Sequence, residues 1–389
     1  MKILFLHKWL VMGGIERILI NYLSILSQEN DLQIDVLIDY DTESSIFREE
    51  IPSNVNLFHV FERNYFEKKK NLYKEKNNNL IKKIIYKITN FREKLVKRKY
   101  LTNLVRNGNY TVIINFSNHF DPYICFNNIK IPIIRWQHST YEISIKEKNF
   151  LKEYDKIVVI CEDMRDFLLN QTKISPEKFS VIYNPVNIEK IRRLSNEKID
   201  FIIEDFFVQV ARIDKNKKHK DLILIYSELI KRGITQKLVI IGDGPELNSL
   251  KHLTKQLNLQ DKCIFLGEIS NPYPYMKNAT LFLHTSEKEG LPTVLLESLI
   301  LGVPVIAMNC PTGPREILDN GKFGVLVDMG DFESFINKTK EYTKNKMKIE
   351  MLKENIENHL LKFSEVEIKN KFLSTIKELT LLNSKIDQY

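Results

Sequence analysis

Ser286-Glu-Lys-Glu289-Gly-Leu-Pro292-Thr-Val-Leu-Leu-Glu297-Ser-Leu-Ile-Leu-Gly302-Val-Pro304-Val-Ile-Ala307 is the stretch on which the reading of this chain turns. Glu289 and Glu297 are separated by seven residues, with Gly290 and Pro292 at a loop-to-helix junction between them and an apolar strand, Val303 to Ala307, behind. Proline suits the first turn of a helix, where its missing N–H costs nothing. Glu289 is therefore expected in a loop at a helix N-terminus and Glu297 more than a turn inside the helix. Free backbone amides at such a terminus favour an anion or a hydroxyl-rich ligand. Carboxylates beside them accept hydrogen bonds from vicinal hydroxyls of a ribose or a hexose, which fits a nucleotide sugar. A surface helix with two solvated glutamates has the same spacing, so the pair needs support from the rest of the chain.

Apolar strand-like runs alternate with helical patterns on both sides, which predicts parallel sheets built from βαβ crossovers. Strands are expected near Lys2–Leu6, Leu32–Ile38, Val55–Val60, Tyr110–Phe116, Pro132–Trp136, Lys156–Ile160 and Phe179–Tyr183. A second series follows near Phe206–Ala211, Lys237–Ile241, Cys263–Leu266, Leu281–His284, Val303–Ala307 and Gly324–Val327. The polar stretch Asn187–Ile199 between them reads as a linker. Apolar residues at Val366, Ile368, Phe372, Ile376, Leu379 and Leu382 have helix spacing.

The 389 residues are enough for two domains, and 43% hydrophobic and 10% aromatic content excludes a wholly disordered chain. The four cysteines are widely spaced, with no Cys-x-x-Cys, so they read as small core residues of a cytosolic protein. Met1 to His7 reads as a first strand and not a signal peptide, and no window of 18 uncharged apolar residues predicts a membrane span. The net charge of +8 is local: residues 63–99 hold 14 Lys/Arg against three Glu, a balance of +11, leaving the remainder at −3.

Three further motifs follow strands. Gly13-Gly14 opens an amphipathic helix, where it either makes a tight turn or admits a phosphate to free amides. Arg212 and Lys217 leave a strand just before a helix and are either solvated or placed to hold a diphosphate by charge-assisted bonds. Lys215, Lys218 and Lys220 blur which lysine is the ligand. Gly242-Asp-Gly244-Pro245 is a strand-to-helix turn.

Together these residues resemble the retaining GT-B glycosyltransferases of family 4 (glycosyl transferases group 1), of the type that builds bacterial surface polysaccharide. The donor motif matches in Ser286, Glu289, Gly290-Leu291-Pro292, Glu297, Gly302-Val-Pro304 and Gly313-Pro-Arg-Glu316-Ile317. Gly13-Gly14-x-Glu16-Arg17 is similar to the element under the donor pyrophosphate. Arg212 and Lys217 match the diphosphate loop, although Ala211 and Lys218 stand where the pattern has glycine. Gly242, Gly244, Pro245 and the Asn271–Tyr275 segment match the base side. The family has a histidine near the reacting sugar, and His138, after the Pro132–Trp136 strand, takes that place, with His119 as the rival.

The resemblance implies an α/β GT-B fold of two facing Rossmann-like domains with a cleft between them. Residues 1–186 would bind acceptor, 187–362 the nucleotide sugar, and 363–389 would form a C-terminal helix crossing back to the first domain. It implies transfer of a hexosyl unit from a UDP-linked sugar to a glycan or lipid-linked glycan, with retention, in lipopolysaccharide or capsule synthesis. Arg212, Lys217, Glu289 and His138 would be catalytic. Gly14, Gly242, Gly244, Pro245, Tyr275, Gly290, Leu291, Pro292, Thr293 and Glu297 would bind the donor. Neither a metal nor another cofactor is expected. A nucleotide-sugar epimerase of related fold and an inactive glycosyltransferase-like binding subunit are the alternatives.

Asp39-Tyr-Asp41 looks like a metal-binding Asp-x-Asp, but it lies far from the donor motif and reads as a solvated loop. In residues 63–100, Ile81, Ile84, Ile85, Ile88, Phe91 and Leu95 recur at helical spacing, with Lys82, Lys83, Lys87, Lys94, Lys97 and Arg98 mostly on other faces. Such a helix either docks on an anionic membrane, at the inner face of the cell membrane, or packs its stripe on its own sheet. Nucleic-acid binding is not expected, because no aromatic platform accompanies the charge.

Overall fold

The computed structural model describes all residues except 12, 43–45, 78, 140–141, 200–203, 346–349, 351–353 and 387–389. It divides into two compact units. The first comprises residues 1–160, 165–185 and 368–389, and the second residues 161–164 and 186–367.

The first unit holds a seven-stranded sheet ordered β3-β2-β1-β4-β5-β6-β7, with every pairing parallel. Its strands are β1 (Lys2–His7), β2 (Gln33–Tyr40), β3 (Val55–Phe61), β4 (Val112–Asn115), β5 (Ile133–Gln137), β6 (Lys156–Val159) and β7 (Phe179–Val181). The second holds a six-stranded parallel sheet ordered β10-β9-β8-β11-β12-β13. These are β8 (Phe206–Val210), β9 (Lys237–Ile241), β10 (Cys263–Gly267), β11 (Leu281–His284), β12 (Val305–Met308) and β13 (Val325–Val327). All thirteen expected strands are present. A parallel strand covered by helices on both faces needs apolar residues at consecutive positions, which is why these runs were legible. Ile3 to Leu6, Leu238 to Ile241 and Leu281 to Leu283 are accordingly buried on both faces.

Three helices of the first unit matter below: α1 (Gly14–Leu26), α2 (Arg63–Glu75) and α3 (Leu80–Gly108). The C-terminal helix Glu365–Ile386 contributes its residues from Ile368 onward to this unit. There Phe372 stacks 6.2 Å from Phe5 and lies 5.8 Å from Tyr22 and 5.9 Å from Trp136. Ile368, Phe372, Ile376 and Leu379 are buried, but Val366, expected in the same stripe, is exposed; the side chain of Leu382 lies outside the described residues. Asn187–Ile199 is no plain linker, since it contains the helix Ile188–Leu194. Cys161, Cys263 and Cys310 are buried free thiols, whereas Cys125 is half-exposed.

A buried polar knot spans β4 and β5. Arg135, 1% exposed, donates from Nε to Asp121 Oδ1 at 2.9 Å, and Asn115 and Tyr154 donate to the same oxygen at 2.7 Å. Removing one partner of a buried pair strands the other charge, at about 3–5 kcal/mol. Asp121→Ala is therefore expected to lower the melting temperature of the first unit sharply, read by differential scanning calorimetry. A melt unchanged from wild type would show that the knot does not hold the sheet.

Candidate active site

In parallel α/β sheets, ligands bind outside the carboxyl ends of the strands. In the second unit that edge gathers the loops after β8, β9 and β11. The loop after β8 carries Arg212, exposed and without an ion pair among the described residues, and a single turn, Lys215–Lys217. The turn after β9 fixes this loop from below. Gly242 has φ +142°, and a Cβ there would lie 2.1 Å from the Ala211 carbonyl oxygen; one on Gly244 would meet the Ile213 carbonyl at 2.3 Å. Their smallness lets the turn pack against the backbone on either side of Arg212. Pro245 is exposed beside them, while Tyr275 is 7% exposed, in the short helix Tyr273–Lys277.

After β11 the chain runs through Thr285–Pro292 into the helix Thr293–Ile300. Pro292 stands just before this helix as its cap and not in its first turn, and Leu291 is a core residue. Gly290 is half-buried, and Thr312 Oγ1 donates 2.5 Å to the Glu289 carbonyl. Ser286 and Thr285 hydroxyls donate to the carbonyls of Asn216 and Lys217, each at 3.2 Å, tying this loop to the one after β8.

The two loops meet in charge. Lys217 Nζ is 2.6 Å from Glu289 Oε1, and His284 Nε2 is 3.3 Å from the same oxygen. The Glu289 side chain is 9% exposed. Burial alone would raise its pKa, but His284 and Lys217 outweigh burial and take it down to about 2. Glu289 is therefore ionised throughout the physiological range. Among the other lysines, Lys218 pairs with Glu287 at 2.6 Å, while Lys215 and Lys220 are exposed.

Glu297 behaves in the opposite way. It is half-buried in the helix and has no ion pair among the described residues. Burial pushes its pKa up to about 7, with Thr293 pulling slightly the other way. A carboxyl left uncompensated at a ligand-binding edge can accept hydroxyl hydrogen bonds from a ligand.

In the first unit, Gly14 begins α1, and the Glu16 carboxylate folds back against Gly13. His138 donates from Nε2 to the Phe116 carbonyl at 2.9 Å, with its ring 4.5 Å from that of Phe116. Burial lowers its pKa to about 3, so it is a neutral imidazole whose Nδ1 accepts. Thr140, next in that motif, and Met12, next to Gly13, lie outside the described residues.

Asp39 is not solvated, contrary to the expectation. It ends β2 fully buried, with the Lys97 ammonium 2.5 Å from Oδ2 and His119 Nε2 against the same oxygen. Asp41 pairs with Arg48 at 2.9 Å. The two aspartates are thus committed to different bases, because Asp39 lies within β2 and Asp41 already beyond its end.

The reading of α3 as a helix packing its apolar stripe on the sheet is also overturned. Leu80, Ile81, Ile84, Ile85, Ile88, Phe91, Leu95 and Val96 are all exposed, Phe91 by 64%. Residues advance about 100° each, so the eight share an arc of about 160° whose middle lies opposite Lys97. The inward face holds charge instead: Lys97 on Asp39, and Glu93 bonded to Tyr40 at 2.8 Å and Lys69 at 2.5 Å. No helix among the described residues is long and apolar enough to cross a membrane.

Sequence reasoning missed His284 and Thr312. The available signal for His284 was a histidine closing an otherwise apolar strand just before the motif; for Thr312 there was none.

Two family models match the chain, Glycosyltransferase Family 4 over residues 13–190 and Glycosyl transferases group 1 over residues 196–359. An uncharacterized glycosyltransferase of Methanocaldococcus jannaschii is 33% identical over 195 residues, 48% of either chain. The N-acetylgalactosamine-N,N'-diacetylbacillosaminyl-diphospho-undecaprenol 4-alpha-N-acetylgalactosaminyltransferase of Campylobacter jejuni is 33% identical over 215 residues, 54% of this chain and 58% of that one. The chain thus spans about half the length of these curated relatives. Among solved structures, Staphylococcus aureus TarM, crystallised with UDP, superposes with a TM-score of 0.74 over 96% of this chain and 99% of that one, at 15% identity. That identity carries the fold alone. With two parallel-sheet α/β units, the paired donor-motif carboxylates and both family models in agreement, the chain belongs to the group 1 glycosyl transferases of family 4, with the GT-B fold.

Proposed function

We propose that this protein transfers a hexosyl unit from a UDP-linked sugar to a hydroxyl of a lipid-linked glycan, with retention, in the synthesis of a cell-surface polysaccharide. The observation that carries this reading is the Lys217–Glu289 pair beside an exposed Arg212 and an uncompensated Glu297, all at one sheet edge. Arg212 and Lys217 stabilise the charge that grows on the departing diphosphate. Glu289, ionised, accepts hydrogen bonds from the donor sugar and supports positive charge near its ring. Glu297 takes the two ribose hydroxyls, and His138 accepts a sugar hydroxyl at Nδ1. The acceptor attacks from the leaving-group side, and the diphosphate takes the proton. The Campylobacter relative, whose name includes a diphospho-undecaprenol acceptor, and the UDP held by TarM support the substrate classes.

We further propose that α3 docks the enzyme on the anionic inner face of the cell membrane. Its outward apolar arc enters the headgroup boundary, and its lysines and arginines meet the lipid charge.

The test is a screen of purified protein against UDP-glucose, UDP-galactose, UDP-GlcNAc and UDP-GalNAc with a diphosphate-lipid-linked glycan, the product anomer being read by NMR. An α-linked product from one donor is expected, formed equally in EDTA because Arg212 and Lys217 supply the counter-charge. Loss of activity on chelation, restored by manganese, would revive Asp39 and Asp41 as ligands. UDP binding without turnover would leave a binding subunit.

Glu297 also sets a pH dependence. Its raised pKa means that it is protonated below about 7, and a protonated carboxyl cannot accept from both ribose hydroxyls. UDP affinity is expected to rise by up to about tenfold between about pH 6 and about pH 8, beyond what the phosphate itself contributes. Calorimetry on wild type and Glu297→Gln isolates that increment, because phosphate ionisation is common to both. Parallel pH profiles would remove Glu297 from the ribose.

A further inference from the structure

His284 closes β11 behind three fully buried apolar residues and is itself 1% exposed. Neither ring nitrogen makes a hydrogen bond among the described residues. A buried polar group without a partner costs about 1–3 kcal/mol, so a leucine would serve this strand end better if packing were its whole purpose. The ring's polar neighbour is functional. Nε2 stands 3.3 Å from Glu289 Oε1, close in distance but not aligned as a hydrogen bond, and Lys217 Nζ already holds that same oxygen at 2.6 Å.

Lys217 has two demands on it. It neutralises Glu289, and on the function proposed above it must also follow the departing diphosphate. If it turns to the phosphate, Glu289 becomes an almost fully buried carboxylate without its cation, which a protein interior tolerates poorly. Its pKa would then climb, and a protonated Glu289 could no longer support positive charge at the sugar ring. An imidazole donates through Nε2 in its neutral and its cationic form, and a small turn of the ring or the carboxylate converts the 3.3 Å contact into a hydrogen bond. Among the described residues no other histidine pairs with that oxygen. His219, buried with both nitrogens unpartnered, is driven by burial to a pKa of about 4 and stays neutral.

We propose that His284 is a positioning residue: it takes over Glu289 when Lys217 moves to the diphosphate, keeping the carboxylate ionised and aimed at the donor sugar. This rests on the glycosyl-transfer reading, and the two can fail separately.

The experiment uses the full chain and whichever UDP-hexose of the screen it turns over. His284→Leu is expected to lower turnover by about tenfold to a hundredfold, the usual effect of removing an orienting partner, while donor KM and UDP affinity stay within about threefold. His284→Gln, which can place an amide donor near Nε2, is expected to recover most of that loss. In a Glu289→Gln background, His284→Leu should cost nothing further, because residues acting through one another are not additive. Full turnover in His284→Leu would overturn the inference while leaving glycosyl transfer standing. So would a loss that His284→Gln does not recover, or one that simply adds to Glu289→Gln. UDP affinity and melting temperature, measured on each variant, separate these outcomes from misfolding. If the wild type turns over no sugar nucleotide at all, the proposed function fails and this inference with it.

Discussion

Lys217→Ala is expected to lower kcat on the order of 10²-fold while leaving the donor KM within a few fold, as for loss of one preorganised donor to a developing anion. The Lys217 side chain is 24% exposed and its ammonium lies 2.6 Å from Glu289, which holds it at the sheet edge. On the proposed function its charge matters most when the diphosphate departs, so the loss should fall on turnover and not on ground-state binding. Arg212→Ala should behave alike, because this exposed guanidinium has no protein ion pair among the described residues to give up. Steady-state kinetics on the best UDP-hexose decide the matter. A variant with near-full turnover removes that residue from the mechanism. The lysine variant should also be the worse of the two, since it leaves Glu289 with His284 as its remaining close basic neighbour.

The second large effect is expected at α3. Wild-type protein should co-sediment with phosphatidylglycerol vesicles and release at high salt, where screening cuts the reach of surface charge to about 3 Å at about 1 M. Lys83, Lys87 and Lys94 are exposed on this helix. Each basic residue near an anionic surface is worth about 1 kcal/mol, so Lys83→Glu, Lys87→Glu and Lys94→Glu together should weaken binding by at least about a hundredfold. Phe91→Ser should weaken it through the apolar arc instead, with little change in salt dependence. Transfer to a short soluble acceptor should survive both, because the proposed docking gives α3 a part in acceptor encounter and none in chemistry. Equal binding to neutral and anionic vesicles, or none to either, would exclude this docking.

The strands were legible because each is a short, nearly continuous apolar run, the pattern a doubly covered parallel strand requires. Glu289 and Glu297 were legible as a pair because glycine and proline punctuate the loop between them. The opposite shifts of their pKa values were not legible. They depend on Lys217, 72 positions away in sequence, and on His284 reaching Glu289 but not Glu297.

The same division explains the misreadings. Asp39 looked solvated because it follows a strand far in sequence from the donor motif, but the residues that bury it, Lys97 and His119, come from distant segments. For α3, the sequence determined an amphipathic basic helix and left open which face turns inward. Helical periodicity fixes which residues share a face and says nothing about what that face meets. The tertiary structure decided it, because Asp39 and Tyr40 at the end of β2 take up Lys97 and Glu93, and this turns the isoleucines toward solvent. By itself, then, the sequence determined the two parallel sheets and the donor motif, whose signals are local in the chain. Charge state, burial and the outward face of α3 were decided by contacts between residues far apart in it, which only the folded chain brings together.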